Sequence, residues 1–77
     1  MKITYDSEAD ALYFELRRAK ASTSIDVEEG VVVDLDAEGH IIGLEVLDAS
    51  ERLTPDELKT ITYENLVLEK KAAVKLP

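Results

Sequence analysis

Two stretches of alternating apolar residues, Val31–Asp36 and Ile41–Leu47, flank the tetrapeptide Asp36-Ala37-Glu38-Gly39. Period-two alternation marks a strand with one buried face. Asp at the first position of a four-residue turn and Gly at the last suit a type I turn. The two stretches therefore read as an antiparallel hairpin. An even-numbered loop pairs Leu35 with His40, Val33 with Ile42 and Val31 with Leu44. That register gathers Val31, Val33, Leu35, Ile42, Leu44 and Val46 on one face. A one-residue slip sets Val33 beside Gly43 and splits the apolar set across both faces, so the even register is expected.

Three further strands precede the hairpin. Lys2–Tyr5 alternates with Ile3 and Tyr5 on one side, and the acidic turn Asp6-Ser7-Glu8-Ala9 follows. Leu12, Phe14 and Leu16 then alternate with Ala11, Tyr13 and Glu15. Arg17–Ser22 is polar and reads as a connection, Thr23–Glu28 as a strand with Ile25 and Val27 inward, and Glu29-Gly30 as a turn. After the hairpin, Thr54-Pro55-Asp56-Glu57 forms a capping box with Pro at the first helical position. The helix it opens is short, because Thr60, Thr62 and Tyr63 are β-branched or aromatic. Ile61–Leu68 could instead form a sixth strand. The expected fold is α+β: an antiparallel sheet of about five strands, a meander of hairpins, with one short C-terminal helix. Residues 1–68 read as one domain and residues 69–77 as a flexible basic tail.

A chain of 77 residues buries only about 60–65% of the surface its unfolded form exposes. Small domains often recover stability from disulfides, metals or oligomerisation. With no cysteine and His40 as the only histidine, the first two devices lose their usual ligands. A homodimer is the expected remedy. No apolar run has the length of a signal peptide or a membrane span, so a cytoplasmic protein is expected.

The net charge of −8 is unevenly placed. All 17 acids lie in residues 1–69 against six bases, leaving −11 there, while Lys70, Lys71 and Lys75 give the last eight residues +3. An acidic body repels a phosphate backbone and argues against nucleic acid as a partner. It attracts basic protein surfaces.

Candidate chemistry is sparse. The pattern Asp34-x-Asp36-x-Glu38-Gly39-x-Ile41-x-x-x-Glu45 has the spacing of a calcium loop of the helix–loop–helix type, but its flanks read as strands. In the even register Asp34 lies opposite Ile41. Glu45, four residues further along, is then about 13 Å away, too far to share one ion. Asp6, Glu8 and Asp10 alternate around the first turn and are weak candidates for a hydrated divalent ion; alternatively they accept backbone N–H bonds in a turn. His40, beside a hairpin turn, is expected to be exposed. Gly43, inside a strand, marks close packing or a bulge. No nucleophile triad or glycine-rich phosphate loop is present, and no cofactor is expected. The second sheet face carries Val32, Ile41 and Leu47 among Asp34, Asp36 and Glu45. That mixture is too apolar for a solvated face and too charged for a core, so Val32, Ile41 and Leu47 are the expected interaction face.

The segments Tyr5-Asp6-Ser7-Glu8-Ala9-Asp10-Ala11-Leu12-Tyr13, Val33-Asp34-Leu35-Asp36-x-x-Gly39 and Ile42-Gly43-Leu44-Glu45-Val46-Leu47-Asp48-Ala49-Ser50 resemble the domain-of-unknown-function 2283 family of bacteria and archaea. The resemblance covers roughly residues 1–53, with Ser7 where that family usually shows Pro. It implies a small β-rich protein with no established activity and no catalytic residues to carry over. Some members are encoded beside small ribonuclease-like toxins, which implies an antitoxin-like role. The resulting expectation is a non-enzymatic interaction module that binds a basic partner protein. The alternative is a small-molecule or divalent-metal-binding domain.

Overall fold

A computed structural model describes residues 1–67 of the chain. The expected basic tail at residues 69–77 lies outside the described residues. Five strands, β1 (Lys2–Asp6), β2 (Ala11–Glu15), β3 (Thr23–Glu28), β4 (Val31–Leu35) and β5 (Ile41–Leu47), form one antiparallel sheet. Two short helices follow, α1 (Ala49–Arg52) and α2 (Pro55–Lys59). No helix among the described residues is long and apolar enough to cross a membrane.

The strand order is β1-β2-β5-β4-β3, so the sheet is not a simple meander. Hairpins join β1 to β2, β3 to β4 and β4 to β5, but β2 pairs with β5. The chain leaves β2 and crosses the end of the sheet to its far edge before β3 begins. Residues 16–22 make that crossing. Three inter-strand steps of about 4.8 Å are well within the reach of seven residues. The crossing is pinned where it starts and ends: Leu16 N–H and Arg17 N–H both donate to the Ile42 carbonyl (2.9 and 3.3 Å), and Ser22 N–H donates to the Leu35 carbonyl (2.8 Å). The polar connection is thus a strap over one end of the sheet.

The register of the central hairpin corrects the even-loop expectation. Gly39 N–H donates to the Asp36 carbonyl (3.0 Å) and Asp36 N–H to the His40 carbonyl (2.9 Å). Gly39 has φ +88°. A turn followed by a left-handed glycine is the three-residue loop, an odd number. Left alone, an odd loop would split the apolar set between faces. A bulge repairs it. Leu35 pairs with Ile41 but Asp34 pairs with Gly43, so β5 carries one extra residue there. Beyond the bulge Val33 faces Leu44 and Val31 faces Val46, two residues displaced from the expected pairs. A displacement of two preserves the face, so the expected grouping of Val31, Val33, Leu44 and Val46 stands.

The pairings of β5 with β2 extend this apolar face through Leu12 and Phe14, and those of β2 with β1 extend it to Ile3 and Tyr5. Its cover is thin. Leu12 and Val33 (each 8% exposed), Ile42 (3%) and Ala49 (0%) are the buried hydrophobic residues among those described, and Gly43 is buried with them. Leu53 and Leu58 are half-buried. Ile25 and Val27 were expected inward, yet they are 46% and 56% exposed. Their strand β3 is an edge with all six residues exposed, and a second bulge, between Asp26 and Glu28, takes Val27 out of the ladder.

The helices also differ from expectation, two in place of one. The Thr54 capping box forms as its sequence dictates: Glu57 N–H donates to Thr54 Oγ1 (3.1 Å) and Thr54 N–H donates to Glu57 Oε1 (2.8 Å). The unexpected α1 has no side-chain cap of its own, and its N-cap residue Asp48 sits at φ 53°. Residues 61–67 are neither helix nor strand, so the described part of the possible sixth strand does not form.

Candidate functional site

The acids of the first turn are engaged by the protein itself. Asp6 Oδ1 accepts Glu8 N–H (2.9 Å) and Ala9 N–H (3.2 Å), the turn-forming pattern of an aspartate. Asp10 does more. It lies in the left-handed region at φ 54°, a conformation Asp tolerates better than most residues. From there its carbonyl accepts Ala49 N–H (3.0 Å). Its carboxylate accepts Ser50 N–H (3.0 Å), Ser50 Oγ–H (2.7 Å) and Tyr5 Oη–H (2.6 Å). The first N–H groups of α1 are thereby capped from a turn forty positions away, which is why no local signal announces that helix. The Tyr5 hydroxyl, followed by Ser50, holds the Asp10 carboxyl below the usual aspartate range. The same hydrogen bond raises Tyr5 above the usual phenol range.

The second face of the sheet carries a polar ladder. Tyr13 Oη–H donates to Asp34 Oδ2 (2.9 Å), and Ser24 Oγ–H donates to Asp34 Oδ1 (2.6 Å). Tyr13 stands on β2 and Asp34 on β4, with β5 between them. The side chain can cross because Gly43 is in the way and has no Cβ; a Cβ there would lie 2.0 Å from Tyr13 Oη. Gly43 thus marks close packing, and the neighbouring bulge follows from the odd loop. Burial, then the Asp34 contact, raises the Tyr13 phenol.

The residues of the calcium-like spacing are nearer than expected. Asp34 pairs with Gly43, so Glu45 is two residues further along its strand, about 7 Å and not about 13 Å. Distance alone therefore does not separate them, but their partners do. Asp34 is held by Tyr13 and Ser24. Asp36 Oδ1 accepts Glu38 N–H and His40 N–H (both 2.9 Å), and Arg17 donates to its Oδ2. The His40 N–H, then that of Glu38, lowers the Asp36 pKa, with His40 and Arg17 adding to it. Asp36, Glu38 and His40 do bring one ligand atom each within 4.8 Å of one another. His40 Nδ1 is 3.7 Å from both carboxylates, and its side chain is 68% exposed. The Arg17 guanidinium already offsets the charge of Asp36, so a metal ion would have to compete with it there.

Of the expected interaction residues, Val32 is half-buried and pairs with Glu45, while Ile41 and Leu47 are 52% and 37% exposed. Sequence reasoning missed a larger set of surface apolar residues after α2. Ile61, Tyr63, Leu66 and Val67 are 61%, 79%, 75% and 60% exposed. The sequence offers Ile61–Leu68 as a possible sixth strand, not as an exposed segment. Tyr63 stands with Met1 and Ile3 around an open groove of about 430 Å³.

These features define a single-sheet α+β domain with an acidic surface, thin apolar cover and carboxylates committed to turns and caps. The chain belongs to a family described as proteins of unknown function (DUF2283), whose pattern matches residues 2–50. It is 36% identical over 64 residues to a protein of Methanosarcina mazei named putative hypoxanthine phosphoribosyltransferase, covering 80% of this chain and 51% of that relative. It is 33% identical over 57 residues to an uncharacterized protein of Methanocaldococcus jannaschii, covering 74% of this chain and 48% of the relative. The chain thus spans about half the length of the curated relatives it matches. No solved structure matches it.

Proposed function

We propose that this domain is a protein-interaction module that pairs with itself when alone and accepts a basic partner protein, in the manner of an antitoxin. The observation behind this reading is an apolar sheet face with too little over it among the described residues. Tyr5 and Ile25 on the two edge strands are 38% and 46% exposed, and Leu16 at the end of β2 is 45% exposed. An apolar face of this kind is stable when a second layer covers it. The body's charge of −11 over residues 1–69 suits a basic surface and would speed its approach.

The name of the Methanosarcina relative supports no transferase reading for this chain. A phosphate cradle wants backbone N–H groups free of negative neighbours. Here the left-handed glycines Gly30 and Gly39 each follow a glutamate, Glu29 and Glu38.

The test is co-expression with the product of the adjacent gene, followed by purification at low and high salt. A co-purifying basic protein, released progressively as salt rises, is the expected result. Recovery of the domain free of that product at low salt contradicts the partner reading.

A further inference from the structure

Residues 61–67 leave α2 with four large apolar side chains more than half exposed. Nothing among the described residues covers them. The groove between Met1, Ile3 and Tyr63 lies at the β1 edge of the sheet. Its walls are wet, since Met1 is 80% and Tyr63 79% exposed. An unfilled apolar groove and an uncovered apolar segment therefore stand beside each other in the same molecule.

We propose that the two complete each other between copies: Leu66 and Val67 of one chain enter the Met1–Ile3–Tyr63 groove of a second, and the second returns the same contact. Such an exchange is the self-complementary contact of a two-fold dimer. This assignment rests on the self-pairing part of the proposed function and gives that pairing a location.

Area supports a second copy as the occupant. Burying one Tyr and three aliphatic side chains removes about 400 Å² per arm from water. With Met1 and Ile3 of the receiving wall added and Tyr63 counted once, two copies bury about 1,200 Å², the lower end of the range for a specific interface.

The chain has no cysteine, so single-cysteine variants make every disulfide intermolecular. Chains carrying Ile3→Cys and Leu66→Cys are mixed in equal amounts under mild oxidation, with Ala37→Cys, at the hairpin turn, replacing Ile3→Cys as the control. Light scattering on the unmodified chain runs alongside. The expected result is a dimer whose mixed disulfide between the first two variants forms at least tenfold faster than in the control. Leu66→Asp, at an exposed position, is expected to weaken dimerisation at least tenfold with an unchanged circular dichroism spectrum. A dimer with no preference for the mixed disulfide overturns this interface and leaves self-pairing standing. A monomer at all concentrations overturns both.

Discussion

Tyr13 and Asp34 meet across an intervening strand, with the Tyr13 hydroxyl 2.9 Å from Asp34 Oδ2 and Gly43 beneath the side chain that spans them. The contact links β2 to β4 without going through the ladder. It makes Gly43 a packing position. A Cβ there would also lie 3.3 Å from the Phe14 carbonyl, so the tyrosine must yield. Gly43→Ala is expected to destabilise the domain by about 1–3 kcal/mol, measured by urea unfolding. In the background of Tyr13→Ala the same substitution should cost far less, a coupling of about 1 kcal/mol or more. Equal costs in both backgrounds would show that Tyr13 is not what excludes the side chain.

Asp10 joins the first turn to α1, so its loss should be felt at both. Asp10→Ala is expected to lower the melting temperature more than Asp10→Asn, because Ala gives up both the acceptor and the tolerance for a positive φ. Hydrogen exchange at Ala49 and Ser50 should accelerate in the alanine variant. Unchanged exchange there would mean that α1 does not depend on this cap.

The acid limb of the stability profile follows from the same groups. Asp10 and Asp36 have folded pKa values below their unfolded ones. Their contribution is present above the unfolded aspartate value of about 4 and is lost as pH falls through the depressed folded values. Tyr5 and Tyr13 are raised, so their contribution is present below about pH 10 and is lost as pH rises beyond it. Thermal melts across pH should therefore show losses at both ends. In Asp10→Asn the acid-side loss should shrink. An acid limb identical to the parent's would assign the loss to other carboxylates.

The carboxylates around Asp36 give a sharp expectation for divalent ions. Arg17 occupies the Asp36 oxygen that faces His40. Millimolar calcium, magnesium or manganese is expected to leave the melting temperature unchanged. Arg17→Ala should open the cluster and allow a small rise with manganese. A rise in the parent chain that Asp36→Asn abolishes would favour a metal-binding role instead.

Much of the sheet is written in local pattern. Alternation at Val31–Asp36 and Ile41–Leu47 placed β4 and β5, and Thr54 and Glu57 placed the start of α2. Parity protected the apolar face even where the pairing was misjudged, since the bulge at Ile41–Ile42 cancels the odd loop. What escaped is carried by distant partners. The α1 cap comes from Asp10, the reach of Tyr13 needs Gly43 on another strand, and the β2–β5 pairing depends on a strap that no local motif marks. The exposed segment at Ile61–Val67 escaped for a further reason: apolar content records that a segment wants burial, not what covers it.

Self-association is the central claim, and light scattering of the intact chain across micromolar to hundred-micromolar concentrations tests it most directly. The expected result is a mass of twice the chain's 8.6 kDa, falling towards the single-chain value on dilution. A mass of 8.6 kDa at every concentration would contradict it.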